Sequence, residues 1–304
     1  MNKRVLVVSY SQSGQLARLK ESFLRDIRGT AGIEVDDVVL QPAQPFAFPW
    51  RFLPFFDAFP ETVHLQPAPI EPPVLAHERY DLVVIAYSVW FLSPAQPITA
   101  FLQSAAAQRV LRDTPVITLI GCRNMWLMAQ EKMKRLLADA GARLVGNVVK
   151  IDQCGSAASF ITTPLWMFTG KRQAVHWLPP AGISEAEIAD AARFGQRTAE
   201  ALQHDETLDK TLLQHMGAVK INEKLMSSER VGHRSFLVWG KLVMAAGRVS
   251  PLLRRLVLCM YIVFLLGMIL TVVPIGALLK TLLAPLRREQ MRREREYYAA
   301  PSEE

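Results

Sequence analysis

The sequence predicts an α/β fold with a doubly wound, five-stranded parallel sheet and a C-terminal helical, membrane-associated extension. Short β-branched runs alternate with stretches of helical periodicity along the first two-thirds of the 304 residues. Two of those runs, at 80–87 and 114–120, are largely apolar, which is typical of strands buried on both faces. An apolar segment near the C-terminus is long enough to reach a bilayer.

Five strands and three helices account for this domain. The strands are expected at residues 4–10, 33–40, 80–87, 114–120 and 143–149, and the helices at 16–27, 130–140 and 184–202. Gly141 follows the second helix as a C-cap, and Ser184 opens the third as an N-cap. Strands that alternate with helices of this length indicate a parallel sheet covered on both faces. The domain is predicted to span residues 1–204.

Two insertions interrupt the alternation. Residues 41–75 are rich in proline and aromatic residues, which argues against a helix or a central strand and favours a lid or wall of a pocket. Residues 157–180 contain aromatic residues without clear periodicity. Core packing and an exposed or membrane-touching surface are equally consistent with that second pattern.

The rest of the chain divides into a helical linker at 205–255, a hydrophobic membrane segment at 256–286 and a charged tail at 287–304. A helix needs about 20 apolar residues to cross a bilayer, and residues 256–279 carry no charge. A single span would place the C-terminal arginines outside, against the preference of positive residues for the cytoplasm. A hairpin bending near Pro274 would keep both ends inside, and both arrangements stay open.

Charge and cysteine usage favour the cytoplasmic face of the inner (plasma) membrane. The net charge is +7, and many basic residues surround the apolar segment, which indicates anionic lipid headgroups as partners and no nucleic acid. The 3 cysteines include no CxxC pair, in keeping with a reducing compartment, and the N-terminus lacks a signal-peptide core. The 6 histidines lack metal-ligand spacing, so no metal site is expected.

The loop that follows the first predicted strand is suited to a phosphate group. It reads SYSQSGQ, and its hydroxyls and backbone N–H groups lie where a helix begins, with Gly14 allowing close approach. The dinucleotide pattern GxGxxG and the nucleotide triphosphatase pattern GxxxxGK[ST] are absent. Taken alone, the loop fits an ordinary polar turn equally well.

Three segments together resemble the flavodoxin-like superfamily, which includes NAD(P)H-dependent FMN and quinone reductases. They are the loop at 9–15, the segment AYSVWFLSPAQP at 86–97 with ITAFL after it, and the segment LIGCRNMW at 119–126 with its succeeding helix and strand. Ser88 stands where the family usually has proline. The resemblance covers about the first two-thirds of the chain.

This resemblance implies an FMN site. The residues expected at the phosphate are Ser11, Gln12, Ser13, Gly14 and Gln15. The flavin ring would lie between Val89, Trp90 and Phe91 on one side and Gly121, Cys122, Arg123 and Asn124 on the other. Trp90 has an alternative role as a core aromatic, and Cys122 is interpreted as a packing residue because no catalytic partner is identifiable. No catalytic residue is assigned.

The predicted function is that of a membrane-associated FMN-dependent oxidoreductase acting on an apolar quinone or cyclic ketone, with NAD(P)H as a candidate electron donor. Within the superfamily, the YSQSG loop, aromatic insertion and hydrophobic tail are similar to proteins labelled dialkylresorcinol condensing enzymes. The alternative is an electron carrier or a non-catalytic docking module for a membrane partner. A homo-oligomer and the choice between NADH and NADPH stay open.

Overall fold

The computed structural model describes residues 2–271 and 288–302. Its strands are β1 (Lys3–Ser9), β2 (Ile33–Val39), β3 (Leu82–Trp90), β4 (Ser93–Pro94), β5 (Pro115–Cys122) and β6 (Arg143–Ile151). Five of them form a sheet in the order β2-β1-β3-β5-β6, with every neighbour parallel, and the short β4 pairs antiparallel with β3. This is the strand order of the flavodoxin-like doubly wound fold, and it confirms the predicted fold class.

The described helices in chain order are α1 (Gln15–Gly29), α2 (Phe52–Asp57), α3 (Phe59–Val63), α4 (Gln96–Leu102), α5 (Ala105–Leu111), α6 (Leu127–Asp139), α7 (Gly155–Thr169), α8 (Glu185–Gln203), α9 (Glu223–Val249), α10 (Pro251–Leu270) and α11 (Arg288–Ala299). Helices α1 and α8 cover one face of the sheet, and α4, α5 and α6 cover the other. Each face of the sheet therefore buries its own apolar core. Ser184 caps α8 as predicted, since its Oγ accepts a hydrogen bond of 3.1 Å from the Glu187 N–H.

Both insertions contain helices that the sequence did not indicate. The first holds α2 and α3, and Pro60 lies in the first turn of α3, where a missing N–H costs nothing. The expectation that residues 41–75 are not helical was therefore wrong in part. The second holds α7, which has Pro164 in its interior. Phe160 and Ile161 are exposed on α7, so the outer face is apolar too and the helical periodicity is lost.

The C-terminal part joins the body of the molecule. Helices α9 and α10 form an antiparallel hairpin. Helix α9 lies within the helical linker expected at 205–255, and it packs on α3 and α6. Within the described residues, α10 is the one helix long and apolar enough to cross a membrane. The part of the predicted membrane segment that follows Thr271, including the bend at Pro274, lies outside the described residues.

Candidate flavin site at the carboxyl edge

Most of the sequence-predicted site residues lie in loops at the carboxyl ends of three adjacent strands. The loop after β1 contains Gly14, the turn after β3 contains Phe91, and the loop after β5 contains Arg123. Open α/β sheets bind ligands at this edge, where the strand order reverses. Two surface clefts of about 450 and 280 Å³ lie at the opposite edge, one beside the C-terminal ends of α1 and α8 and one beside the starts of the strands.

The loop after β1 presents backbone donors at the start of α1. Gly14 has a φ of +79°, in the left-handed region, and a Cβ built there would have open space around it. The Ser11 Oγ accepts a hydrogen bond of 3.2 Å from the Ala17 N–H. The preceding N–H groups of α1 have no acceptor inside the helix, and the helix dipole is positive there. These features make the loop the candidate site for an anion.

The two glutamines of this loop brace it against neighbouring segments. The Gln12 Nε2 donates to the Ala47 carbonyl at 2.8 Å, and its Oε1 accepts from the Trp50 Nε1 at 2.9 Å. The Gln15 side chain exchanges two hydrogen bonds with the Ile183 backbone, at 2.9 and 3.1 Å. The side chains of both glutamines are therefore already hydrogen-bonded elsewhere. The prediction of a phosphate site now depends on the backbone N–H groups of the loop and on its serine hydroxyls.

Trp90 lies in a cluster of aromatic rings. Its ring centroid is 6.0 Å from that of Tyr10, 4.9 Å from Phe46 and 5.6 Å from Trp50, each in an edge-to-face arrangement. Phe46 and Trp50 belong to the first insertion, which thus forms a wall over the β1 and β3 loops. Sequence reasoning anticipated a wall but did not identify Tyr10, Phe46 or Trp50 as its members.

Phe91 and Leu92 form a strained turn between β3 and β4. Their φ angles are +48° and +58°, and a left-handed conformation costs a residue with a side chain about 1–2 kcal/mol. The Phe91 ring packs 4.8 Å from Phe55 and 5.8 Å from Phe59, whereas Trp90 packs on the sheet core together with Val89. The adjacent residues Trp90 and Phe91 thus pack in different clusters. The backbone strain in the turn persists because the surrounding side chains hold it.

A buried lysine stabilises the same turn through hydrogen bonds. The Lys132 Nζ donates to the Ser93 Oγ at 2.7 Å and to the Val63 carbonyl at 2.6 Å, which joins β4 to the end of α3. Burial, with a smaller contribution from the nearby Arg135 charge, lowers the pKa of Lys132 to about 7. Lys132 was not found from the sequence, because a lysine on a helix is normally exposed.

The loop after β5 forms a second boundary of the site. A Cβ at Gly121 would lie 3.2 Å from the Leu16 Cδ1 and 3.3 Å from the Ile183 Cδ1, so the glycine lets the start of α1 pack closely. Cys122 packs against the core, and burial raises the pKa of its thiol, which keeps it neutral. Asn124 is half-buried and has no side-chain hydrogen bond to any residue that the structure describes.

Arg123 carries an unpaired donor in this loop. Its Nε donates to the Ser159 Oγ at 3.0 Å, and its guanidinium lies 4.0 Å from the Phe160 ring centroid. The Nη2 atom is buried and has no hydrogen-bond partner among the described residues. Burial lowers the pKa of the guanidinium to about 10, opposed by the negative charge of Asp152. A buried unpaired donor of this kind is open to an oxygen acceptor, either from a ligand or from water.

Asp152, at the end of β6, joins three loops and was not identified from the sequence. Its carboxylate accepts hydrogen bonds from the Gly182 N–H at 2.7 Å, the Cys154 N–H at 2.7 Å and the Thr163 hydroxyl at 3.0 Å. Its own N–H donates to the Arg123 carbonyl at 3.0 Å. An acidic residue directly after a buried strand was the signal that could have identified it.

Taken together, these residues fit a planar ring with a phosphate tail. The glycine loop offers backbone donors to an anion, the Trp90 cluster offers aromatic surface, and the Arg123 Nη2 offers an unpaired donor. No group of three His, Cys, Asp or Glu side chains that could hold a metal occurs within 2–271 and 288–302. The strand order is that of the flavodoxin-like α/β fold.

The solved structures similar to this chain include an FMN-bound flavoprotein from Lactobacillus acidophilus NCFM, at 17% identity and a TM-score of 0.38, covering 49% of this chain and 93% of that one. A flavodoxin from the domain Archaea matches at 11% identity and a TM-score of 0.37, covering 66% and 99%. An azoreductase from Bacillus anthracis matches at 12% identity and a TM-score of 0.36, covering 64% and 99%. No family model and no curated protein matches the chain.

Proposed function

We propose that this protein is an FMN-dependent oxidoreductase that acts on an apolar quinone or cyclic ketone at a membrane surface. The observation that carries the proposal is the meeting of the anion-binding loop and the Trp90 cluster at one edge of the sheet, joined by the Tyr10–Trp90 contact of 6.0 Å. FMN supplies the redox chemistry when bound, because its ring accepts a hydride at N5. NAD(P)H is the proposed donor in the reductive direction.

The chain's own residues bind and orient the cofactor. The N–H groups around Gly14, with the Ser11 and Ser13 hydroxyls, would hold the phosphate, and Trp90 would line the ring system. Arg123, whose buried Nη2 has no partner among the described residues, would supply a hydrogen-bond donor and a positive charge to the ring. The first insertion braces this loop through the Gln12–Trp50 hydrogen bond.

A chain of aromatic contacts supports an apolar substrate. Phe52 of α2 is 49% exposed, and its ring lies 5.0 Å from Phe56. Phe56 lies 5.1 Å from Phe55, and Trp50 lies 5.6 Å from both Phe55 and Trp90. These rings connect the surface of the insertion with the candidate flavin site, and they offer few polar partners to a hydrophilic substrate. A quinone or a dialkyl cyclohexanedione suits such surroundings.

The outer face of α10 supports attachment to a membrane. Leu256, Met260 and Val263 are 55%, 63% and 72% exposed, which is unusual for side chains of this size on one helix. Two exposed arginines, Arg248 and Arg255, lie close to the start of the helix. An apolar face bordered by basic residues favours the anionic cytoplasmic leaflet of the plasma membrane.

A single-turnover experiment tests this function. FMN-loaded protein would be mixed without oxygen with a dialkyl cyclohexanedione, whose conversion to a resorcinol transfers two electrons and two protons to the flavin. We expect one resorcinol per FMN and loss of the yellow absorbance; in a second arm, NAD(P)H should bleach the flavin and an apolar quinone should restore it. Bleaching by NAD(P)H, with no reduction of the flavin by the dione and no reoxidation by the quinone, would instead indicate a carrier or docking module.

A further inference from the structure

Helix α10 is fixed to the α/β domain along its length. At its start, Arg254 forms ion pairs with Asp57 at 2.7 Å and Glu61 at 2.8 Å. In its middle, the Tyr261 ring stacks on Phe59 with the ring centroids 4.4 Å apart, and Tyr261 is fully buried. Helix α9 runs antiparallel beside it with a charged residue, Lys241, exposed about halfway along the pair.

The face of α10 that does not contact the domain is apolar and exposed. Its exposed side chains are Leu252, Leu253, Leu256, Met260, Val263, Phe264, Leu266 and Leu270. Phe52 and Leu53 of α2 are exposed as well, and Arg254 joins α10 to α2 through Asp57. A helix with one face on the protein and the other apolar and exposed is suited to lying in the plane of a membrane interface.

The C-terminal tail returns to the same domain. Glu294 of α11 forms two hydrogen bonds of 2.9 and 3.0 Å with Arg230 of α9. The Tyr297 hydroxyl donates to Glu131 of α6 at 2.7 Å. The Ser302 Oγ accepts a hydrogen bond of 2.8 Å from the Asn147 N–H on the outer edge of β6, and Ser302 is 1% exposed. The expected charged tail is therefore a clasp, formed by α11 and Ser302, on the α/β domain.

These contacts exclude a single transmembrane span in this structure. The apolar core of a bilayer is about 30 Å thick, and a span through residues 256–279 would put Glu294 on the far side from Arg230. Crossing by α10 would also draw Lys241, exposed on the adjacent α9, into lipid, where charges are costly. The two arguments use different residues and agree.

We infer that this chain is monotopic: α10 lies in the interface of one leaflet, and the clasp keeps the C-terminus on the side of the α/β domain. The inference rests on the membrane attachment in the proposed function. Five exposed basic residues near this surface have no ion pair among the residues described, which suits anionic phospholipid headgroups as the partner. They are Arg51, Lys171, Lys241, Arg248 and Arg255.

Cysteine labelling of the full-length protein tests the topology. Glu296, whose side chain is 62% exposed on α11, and Glu200, exposed on α8, would each be replaced (E296C, E200C) in a Cys259→Ser background. A membrane-impermeant maleimide would then be applied to inverted membrane vesicles and to intact spheroplasts of a bacterial host, with the background protein as control. We expect both new cysteines to react equally in inverted vesicles and to be protected in spheroplasts.

Labelling of E296C in spheroplasts, with E200C protected, would overturn the inference and leave the membrane attachment intact. If the protein does not sediment with membranes, both the proposed membrane attachment and this topology are contradicted. The FMN content of the same protein would still test the flavin site separately. As a second measurement, the double variant M260E/V263E changes only the exposed face of α10. It should lose binding to phosphatidylglycerol vesicles and retain its fold. If instead a dimer dissociates and vesicle binding is kept, a second copy of the chain covers the exposed face of α10, which would contradict the inference.

Discussion

At the scale of single residues, Gly14 is the position on which the proposed phosphate site depends most. Its left-handed backbone turns the loop so that the N–H groups point toward one place. Gly32, which lies far from the site, has a similar φ of +83°. Both positions have open space where a Cβ would go, so a substitution at either introduces backbone strain without a collision. The two glycines form a matched pair.

We predict that Gly14→Val weakens FMN binding at least about tenfold, because a β-branched residue resists the left-handed region and the N–H groups then point elsewhere. Gly32→Val should lower the free energy of unfolding by about 1–2 kcal/mol. It should leave FMN binding unchanged. Titration of each apoprotein with FMN, followed by flavin fluorescence, measures the difference. Equal affinities for the two variants would contradict the assignment of the loop.

Glu229 is a buried carboxyl group whose protonation should affect stability. It is 1% exposed and accepts a 2.7 Å hydrogen bond from the Met128 N–H at the start of α6. Burial raises its pKa from 4.5 to about 8, only partly offset by that hydrogen bond. The folded state therefore binds this proton more tightly than the unfolded state, and the stability it contributes below pH 4.5 is lost as the pH rises to about 8.

We predict that Glu229→Gln, which keeps the acceptor and removes the titration, abolishes this loss. Between pH 5 and 8 the wild type should lose about 1 kcal/mol or more relative to the variant. Urea unfolding at several pH values measures it, with Glu200→Gln on an exposed surface as the control. Parallel pH profiles for wild type and Glu229→Gln would show that the carboxyl group is ionised in the folded protein.

The residues that could be predicted for the site are those with a local signal. Gly14 and its neighbouring serines follow a strand and open a helix, which is visible in a window of a few residues. Trp50 contacts Gln12 across 38 positions of sequence, and Lys132 contacts Val63 across 69, so no local pattern reports either pair. Tyr10 and Phe46 were missed for the same reason.

At the scale of elements, the contact between α1 and α8 depends on Gly195. A Cβ built at this position would lie 1.8 Å from the Phe23 carbonyl oxygen, a backbone atom that cannot move aside. The helix backbones approach closely there, and this contact fixes one of the two helical layers on the sheet. Gly29, at the end of α1, has open space around it and provides the comparison.

We predict that Gly195→Ala lowers the free energy of unfolding by about 2–3 kcal/mol or more, because the two helices must separate. Gly29→Ala should leave stability unchanged or raise it by up to about 1 kcal/mol, since alanine is the better helix former. Chemical unfolding followed by circular dichroism compares the two variants. A Gly195→Ala protein as stable as the wild type would show that α1 and α8 are farther apart.

The elements that the sequence predicted correctly have a strong period or a clear cap. All five parallel strands appear within three residues of their expected ends, since their apolar runs are buried in the sheet. Helices α4 and α5 were missed because they are 7 residues each and their apolar residues merge with the preceding strand loop. Helix α7 was missed because its exposed face is apolar as well.

At the scale of the whole molecule, the C-terminal third is more closely joined to the α/β domain than its sequence indicates. Helix α9 covers α3 and α6, α10 packs on Phe59 through Tyr261, and the clasp closes the outer edge of β6. Composition reports the apolar and charged character of these segments, but their placement depends on contacts with residues that lie up to 197 positions away. Removal of residues 251–304 would therefore expose Phe59 and should not be expected to yield a well-behaved soluble domain.

The central claim is that the carboxyl edge of this sheet holds FMN, and the most direct test is to measure the cofactor itself. The full-length protein would be purified in mild detergent, its visible spectrum recorded, and the cofactor released by denaturation and identified. We predict about one FMN per chain, with fluorescence of Trp90 and its neighbours quenched by the bound flavin. A colourless protein that takes up no FMN from an excess, and whose tryptophan fluorescence is unaffected, would contradict the flavin site and the proposed redox function with it.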